Sequence, residues 1–319
     1  YIFKDYGTGA MMYLTGDVKW SCSSFEMILD LQRLGEMGIE TDFTIKKVGV
    51  VTGDRGRYSQ LDTAIVETKP YLVRNMIIEE QTGIFENLTK AESSSEWREF
   101  KVDYAVIHYH KGDNSYRTII NAFEVAEKRV CEVLPCSKKR LKITIFADHE
   151  EYEDHYGKEL PVWSVGSGNK DGIYLESPSN WRLDVNGHTP YQTCQIFTHE
   201  FAHYVTHNIV NYPLPKWLNE GISVCLALQN REDAVKEAIA NKKLIHLSEL
   251  DTKWYENPSL AYAESGSFLK FLVDNYGREI VKNILFKLNS GESLDGVLKK
   301  LTGKSLEELE DEWIQNLQQ

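Results

Sequence analysis

The sequence contains no long apolar run, and its basic residues are in the minority. No segment approaches the roughly 18 consecutive apolar residues that a membrane-spanning helix requires. Lys and Arg number 36 against 48 Asp and Glu, which gives a formal net charge of −12 at pH 7. Because nucleic acids and anionic membranes attract basic surfaces, this charge argues against either as the main partner. We therefore predict no nucleic-acid partner and no membrane-spanning segment.

Cysteines are also scarce. The chain has five, at Cys22, Cys131, Cys136, Cys194 and Cys225. A few scattered cysteines, odd in number and without a CxxC pair, neither build a disulfide framework nor provide a zinc-binding pair. We expect buried or unpaired thiols, with a Cys131–Cys136 bridge as the alternative.

The rest of the composition is that of an ordinary globular protein, with 42% apolar and 26% charged residues. A chain of 319 residues is long enough for two domains with separate cores. The stretch 91–99 (AESSSEWRE) is polar and serine-rich, which is typical of a linker. We place the domain boundary there, between residues 1–98 and 99–319.

The first region combines one helical pattern with several strand-like runs. Ser24–Leu34 has the apolar spacing of a helix, and Gly35 ends it. Three β-like runs follow at residues 43–51, 58–67 and 71–80, with turn residues between them. This order suits an antiparallel meander packed on helices, and it resembles the nuclear-transport-factor-like fold. We infer a small α+β accessory domain.

The second region alternates strands and helices and then becomes wholly helical. Strands are predicted at residues 102–108 and 141–146, and helices at about 116–134 and 193–208. After Pro215 the pattern predicts helices alone. We therefore expect an upper α/β half, residues 99–210, and a helical lower half, residues 211–319.

The strongest chemical signal is the run HEFAH at residues 199–203. Residues four apart lie on nearly the same face of a helix, so His199 and His203 can reach one Zn²⁺ at about 2.0–2.1 Å. Glu200 lies one step round the helix, where a general base for a water molecule at the metal belongs. Two imidazoles and a carboxylate are costly in so apolar a helix unless they are paired or bound to metal. The run therefore predicts a zinc site.

A third ligand is expected from the next helix. Glu220 follows His203 by 17 residues in the run WLNEG, and prolines between the two helices turn the chain back. Two histidines and one glutamate leave the fourth tetrahedral position open, as in catalytic zinc sites. His207 competes for this role, but it lies about 12 Å along the same helix from His199. No glycine bends that helix, so we expect a different role for His207.

With HEFAH followed by WLNEG, residues from about 100 to 319 resemble the gluzincin clan of zinc metallopeptidases, and in particular the bacterial peptidase-MA-like proteins. Further matching runs are PVWSVG at 161–166, AYAES at 261–265 and GKSLEELEDEW at 303–313. The resemblance implies one zinc ion held by His199, His203 and Glu220, with Glu200 as the base. It also implies an α+β fold in which a mixed sheet and an active-site helix lie over a helical lower half.

The resemblance implies two further roles. Tyr262 matches the family's downstream tyrosine, which donates a hydrogen bond to the oxyanion of the tetrahedral intermediate. A core position for Tyr262, with Tyr255 or Tyr276 as the donor, is the alternative. The strand Gly172–Leu175 resembles the edge strand that pairs with an extended peptide substrate.

Two departures distinguish this sequence from other members of the clan. Thermolysin-like enzymes place an aspartate four residues after the ligand glutamate, where it orients a histidine, and this chain has Val224 there. Aminopeptidases of the clan carry a G-x-M-E-N strand that holds the substrate's free amine, whereas residues 166–172 read GSGNKDG. The second departure favours an endopeptidase over an exopeptidase.

These observations predict zinc-dependent hydrolysis of peptide bonds, with a peptide or protein as the substrate. The alternatives are a metal-containing binding or regulatory protein and hydrolysis of a non-peptide bond. The intact Glu200 argues against a purely structural site. His108 and His110 alternate on a predicted strand, and we expect no metal-binding role for them. The family and the start at Tyr1 suggest a bacterial extracytoplasmic location.

Overall fold

The computed structural model describes residues 96–318 and, before them, six strands. Those strands are β1 Ile2–Asp5, β2 Met11–Leu14, β3 Val18–Trp20, β4 Phe25–Met27, β5 Phe43–Val51 and β6 Thr63–Val73. The chain divides into two compact units, residues 1–89 and 90–319. The division into domains at residues 1–98 and 99–319 remains a prediction.

The described strands of the first unit form antiparallel pairs, β1 with β2, β3 with β4 and β5 with β6. The predicted helix Ser24–Leu34 is wrong over Phe25–Met27, because these residues are extended and pair with Val18–Trp20. The rest of that predicted helix lies outside the described residues. The nuclear-transport-factor-like fold also remains a prediction.

The longest pair of the first unit joins β5 and β6. The strand predicted at residues 43–51 is confirmed, but the break predicted between residues 58–67 and 71–80 is wrong, because β6 is continuous across it. Pro70 lies where the pairing of the two strands is irregular. Proline has no N–H to give to a ladder, so an irregularity tolerates it without ending the strand. Residues 58–62 and 74–80 lie outside the described residues.

The second unit is built on a mixed five-stranded sheet. Its strands are β7 Trp97–Val102, β8 Ala105–His110, β9 Leu141–Phe146, β10 Gly166–Asn169 and β11 Gly172–Glu176. Their order across the sheet is β10-β11-β9-β8-β7. The three central strands run parallel, and both edge strands are antiparallel to their neighbours. The mixed sheet expected from the family resemblance is therefore present.

The first strand of this sheet corrects one expectation. The single strand predicted at residues 102–108 is a hairpin of β7 and β8, which turns at Asp103 with a φ of 46°. Aspartate is among the few residues that adopt this left-handed conformation readily. As a result Trp97–Glu99, assigned from the sequence to the linker, lies within β7.

Ten helices accompany the sheet in the part of the chain that the structure describes. They are α1 Tyr116–Cys131, α2 His149–Tyr156, α3 Thr193–Ile209, α4 Lys216–Leu226, α5 Glu232–Ala240, α6 Leu247–Lys253, α7 Pro258–Tyr276, α8 Glu279–Asn289, α9 Leu294–Thr302 and α10 Leu306–Leu317. No helix among the described residues is long and apolar enough to cross a bilayer. Beyond residue 211 the second unit is helical, as predicted.

One hydrophobic core runs through the second unit and fixes the position of α3. The aromatic rings of Phe123 on α1 and Phe201 on α3 meet edge to face at 6.0 Å between centroids. Ile107, Ile143 and Ile173 lie on neighbouring strands and are fully buried in the same core. Burial on this scale stabilises each such side chain by about 1.5–3 kcal/mol. The helix that carries HEFAH is therefore held by packing on several sides.

Helices α4 and α7 approach each other closely through glycine. A Cβ atom at Gly221 on α4 would lie 2.6 Å from the carbonyl oxygen of Ser265 on α7. A Cβ atom at Gly266 would lie 2.2 Å from a methyl carbon of Val224. Both distances are shorter than carbon contacts allow, so any larger residue would push the helices apart. Glu220 directly precedes Gly221, so this contact between the two helices also fixes the backbone position of Glu220.

A disulfide joins Cys131 at the end of α1 to Cys136. The expectation of unpaired thiols is therefore wrong for these two residues, and the alternative bridge forms. The chain leaves α1 and turns back within five residues, which brings the two sulfur atoms together. Cys194 and Cys225 are both partly buried, and neither forms a disulfide with a described residue.

Candidate metal centre

Helix α3 carries its polar residues inside the protein rather than on a solvent-facing side. His199 and Glu200 are each 8% exposed and His203 is 6% exposed. Polar groups lose their water at such positions, which costs free energy unless they find partners. The three buried side chains therefore need hydrogen bonds, an ion pair or a metal ion to offset their loss of water.

The two histidines and Glu220 of α4 converge on one point. The Nε2 atoms of His199 and His203 lie 3.0 Å apart, and the Oε2 atom of Glu220 lies 3.2 Å from each of them. The ligands of a tetrahedral zinc ion, about 2.0–2.1 Å from the metal, lie about 3.3 Å from one another. The three atoms thus have the spacing of one face of such a tetrahedron. This group is able to hold a metal ion.

The charges at this point also suit a cation. Burial alone would raise the pKa of Glu220, but the neighbouring His203 and His199 imidazoles hold it well below its usual range. Burial would lower the pKa of His203, yet the Glu220 carboxylate outweighs it and raises that pKa to about 9. The buried Glu220 carboxylate is therefore ionised, and its negative charge needs a positive charge nearby. Either a proton on one of the two imidazoles or a divalent metal ion bound by all three side chains supplies that charge.

A glutamine orients the first histidine. The Nδ1–H group of His199 donates to the Oε1 atom of Gln229 at 2.8 Å, which leaves Nε2 directed towards Glu220. Gln229 lies in the loop after α4, nine positions beyond Glu220. Thermolysin-like enzymes have an aspartate at the position of Val224, whose apolar side chain here lies beside Gly266 of α7. The histidine's partner is therefore a neutral amide from a different position.

The second histidine has two polar neighbours. The side chain of Asn219 lies beside His203 and favours its protonated form. The His207 ring stacks on the His203 ring at 5.9 Å between centroids, but His207 does not join the group of metal-ligating atoms. Burial lowers the pKa of His207, so its ring is a neutral neighbour. As expected from the sequence, His207 is a neighbour of the ligand group rather than its third ligand.

Glu200 lies next to the ligands, against the glycine-rich edge strand. Burial raises the pKa of Glu200, while the two histidines act in the opposite direction. A Cβ atom at Gly166 would lie 3.1 Å from the Glu200 side chain, and one at Gly168 would lie 1.9 Å from the Glu200 carbonyl oxygen. Only glycine permits this approach of β10 to α3. Gly166 and Gly168 therefore belong to the site. Their alternation in the run GSGN is the sequence signal that could have predicted a close approach of this strand to a helix.

The edge of the sheet differs from the sequence prediction. The resemblance placed the edge strand at Gly172–Leu175, but β11 is an inner strand that pairs with both β9 and β10. The edge beside α3 is β10, Gly166–Asn169. The tight hairpin between β10 and β11 explains the error, because it puts the glycine-rich residues outermost.

A cleft of about 780 Å³ opens beside these residues. His199, Glu200 and Tyr262 all line it. Its volume lies within the range of about 300–1,000 Å³ that is typical of ligand pockets. The candidate metal centre is therefore accessible to a substrate.

Residues 191–319 match the family model described as the peptidase MA superfamily. No curated protein matches the chain. The match supports the resemblance to the peptidase MA family and suggests a peptidase-like function. It includes α3, α4 and the helical lower half, so it covers His199, His203 and Glu220.

Within the matched residues, Tyr262 is placed differently from Tyr255 and Tyr276. Its ring lies 6.3 Å from that of His199 and 4.9 Å from that of Trp254. Burial and the nearby carboxylates raise the pKa of Tyr262 far above its usual range, so it stays a neutral hydroxyl donor. Tyr255 is 75% exposed and contacts Lys216 instead. Tyr276 interacts with Lys304, away from the cleft.

The histidines of β8, His108 and His110, do not belong to the candidate metal centre. His110 bonds to Glu151 through Nε2 at 2.9 Å, and His108 pairs with Glu99 at 3.5 Å. Both lie on β8, two strands away from β11. Both imidazoles thus have carboxylate neighbours, and the absence of a metal-binding role for them stays a prediction.

Proposed function

We propose that this protein is a zinc-dependent peptidase that hydrolyses internal peptide bonds. The observation that carries the proposal is the convergence of His199, His203 and Glu220 beside the buried Glu200. Three protein ligands with an open fourth position are typical of catalytic zinc, whereas structural zinc is closed by four. The match to the peptidase MA family supports the same conclusion.

The residues present fit zinc by donor type as well as spacing. Imidazole nitrogen and carboxylate oxygen are both common zinc ligands. A bound zinc ion polarises a carbonyl group and makes water more acidic. The hydrogen bond from His199 to Gln229 keeps the ligand nitrogen directed at the shared point before any metal arrives.

Glu200 serves as the general base. Its carboxylate accepts a proton from the attacking water and then transfers that proton to the leaving amine. Burial raises its pKa, which makes the carboxylate a stronger base than an exposed glutamate. A backbone hydrogen bond from Gly168 acts against burial and lowers the same pKa by a smaller amount.

Tyr262 is the proposed donor to the oxyanion. Burial raises the pKa of Tyr262 far above the usual range, so its hydroxyl is protonated and able to donate at neutral pH. It lies on α7 and lines the same cleft as His199 and Glu200 of α3. A donor aimed at developing negative charge lowers the barrier, and losing one such donor typically costs about 10²–10³-fold in rate.

The edge strand β10 is the proposed guide for the peptide. Its outer side has no strand partner among the described residues, and it lies against Glu200. An extended peptide that adds to a sheet edge gains affinity through main-chain hydrogen bonds, with little dependence on side chains. Such binding suits cleavage within a chain and supports an endopeptidase.

The disulfide supports a location outside the reducing cytoplasm. Disulfides persist in secreted and periplasmic proteins and are rare in the cytosol. The bridge between Cys131 and Cys136 therefore favours the proposed bacterial extracytoplasmic setting.

The direct test combines metal analysis with an activity assay on the full chain. The protein is loaded with zinc, its metal content is measured, and cleavage of casein and of a mixed peptide library is followed by mass spectrometry with and without a chelator. We expect about one zinc per chain and cleavage that the chelator abolishes. One zinc per chain without any cleavage would instead support the metal-containing binding protein.

A further inference from the structure

The cleft carries a positive charge that the proposed catalytic residues do not use. Arg231 lies in the loop between α4 and α5 and lines the same cleft as His199 and Glu200. Among the described lining residues, Arg231 is the only one with a fixed positive charge. The chain as a whole is strongly acidic, so this is a local exception.

The Arg231 guanidinium is anchored but keeps much of its hydrogen-bonding capacity. Its Nη1 atom donates to Ser259 Oγ at 2.8 Å. Arg231 forms no ion pair with a carboxylate in the described part of the chain. The adjacent Glu232 is instead paired with Lys270 at 3.5 Å. Because arginine presents five N–H donors in a planar fork, the remaining donors are available to a ligand.

Other features of the cleft lining near Arg231 also favour the binding of an anion. Helix α7 begins at Pro258, so the positive end of a 19-residue helix faces the cleft beside Ser259. The neighbouring lining residues Asn230 and Asn257 are uncharged amides. The only carboxylate on the described lining is Glu200, which lies with the metal ligands on α3.

We propose that Arg231 binds a carboxylate of the substrate, so that the cleft prefers peptides with an acidic group on the α5 side. The group is either an Asp or Glu side chain or the C-terminal carboxylate of a peptide, since both present the same pair of oxygens. This inference rests on the proposed peptidase function and names its substrate class.

The test uses four matched versions of one peptide library with the full, zinc-loaded chain. Acidic residues are either kept or replaced by Asn and Gln, and each set ends in a free carboxylate or a carboxamide. Cleavage by the wild type is compared with that by Arg231→Gln, Arg231→Lys and Lys236→Gln. Lys236 is an exposed lysine on α5 that does not line the cleft, so Lys236→Gln matches the charge loss of Arg231→Gln.

We expect the wild type to cleave the preferred carboxylate-bearing set about tenfold faster than its amide counterpart, as a charge-assisted hydrogen bond predicts. Arg231→Gln abolishes this preference, Arg231→Lys keeps a part of it, and Lys236→Gln keeps all of it. The set that responds identifies the source as the side chain or the C-terminus. Equal cleavage of all four sets by the wild type, or an unchanged preference in Arg231→Gln, overturns the proposal.

Binding separates this proposal from the proposed hydrolysis. The same peptides are titrated into zinc-loaded Glu200→Gln protein with and without Arg231→Gln. Carboxylate-dependent binding that Arg231→Gln weakens about tenfold supports the proposal, even when the wild type cleaves nothing. Equal binding of acidic and amide peptides refutes the Arg231 site, whereas missing cleavage alone refutes only the hydrolysis.

Discussion

A side-chain carbon at Gly168 would lie 1.9 Å from the carbonyl oxygen of Glu200, well inside van der Waals contact. The edge strand β10 and the helix α3 therefore touch backbone to backbone at the proposed base. Because the obstacle is a helix carbonyl rather than a flexible side chain, a substitution cannot be absorbed by a rotamer change. The position of the edge strand relative to Glu200 depends on the absence of a side chain here.

We expect Gly168→Ala to displace β10 from α3 and to lower kcat/KM by at least about 100-fold, with a loss of stability of about 1–3 kcal/mol. Peptide cleavage and urea unfolding measure the two effects. Gly296→Ala is the matched control, because its new Cβ would meet only the flexible Ser293 hydroxyl. Wild-type kcat/KM in Gly168→Ala would show that the strand does not need this contact.

The Glu200→Gln variant separates metal binding from catalysis. Glutamine keeps the size of the side chain but cannot accept a proton from water, so we expect kcat to fall by about 10²–10⁴-fold. Zinc content stays at the wild-type value, since Glu200 is not in the group of ligand atoms. Metal analysis and peptide cleavage are measured on the same sample. Retained turnover would remove Glu200 from the role of base.

The Gln229→Ala variant tests the orientation of His199. Losing the 2.8 Å hydrogen bond leaves the imidazole free to turn, so we expect zinc affinity to fall about 10–100-fold. Competition with a zinc chelator measures it. Gln229→Glu keeps an acceptor and is expected to retain tight binding, while the exposed Gln315→Ala serves as a control. Unchanged zinc affinity in Gln229→Ala would mean that packing alone orients the ring.

Glu264 gives the protein a pH-dependent stability term outside the metal centre. Its side chain is fully buried, Oε1 accepts from the Ile245 N–H group, and burial raises its pKa to about 8. Between pH about 4.5 and 8 the folded state keeps a proton that the unfolded state has lost, so stability falls as pH rises. We expect a loss of about 2–4 kcal/mol across this range.

Urea unfolding at several pH values checks the Glu264 prediction. Glu264→Gln keeps an uncharged group there and should flatten the decline, whereas Glu237→Gln on the exposed side of α5 should leave the decline unchanged. The same slope in Glu264→Gln and the wild type would assign the pH dependence to other groups.

The sequence was most informative where chemistry depends on local spacing. The positions of His199 and His203 follow from one helix turn, and the structure places Glu220 between them as the WLNEG run suggested. Helical periodicity also predicted the lower half, because apolar faces repeat over several turns. These features need no knowledge of distant contacts.

Features that depend on distant pairing were harder to predict. The orienting Gln229 comes from a loop whose path is set by packing, and no local pattern distinguishes it from other polar loop residues. The edge was assigned to β11 rather than β10 because strand order depends on which hairpin folds outermost. The Asp103 turn was missed because only its left-handed backbone reveals it.

The glycine contact between α4 and α7 sets the spacing of two side chains at the candidate centre. Glu220 and Tyr262 lie on these two helices, and Gly221 on α4 approaches the Ser265 backbone on α7. The same hydrophobic core includes residues of α3, α4 and α7. The distance from the candidate ligand Glu220 to the Tyr262 ring is therefore set by the approach of two backbones, which a change of side-chain rotamer cannot alter.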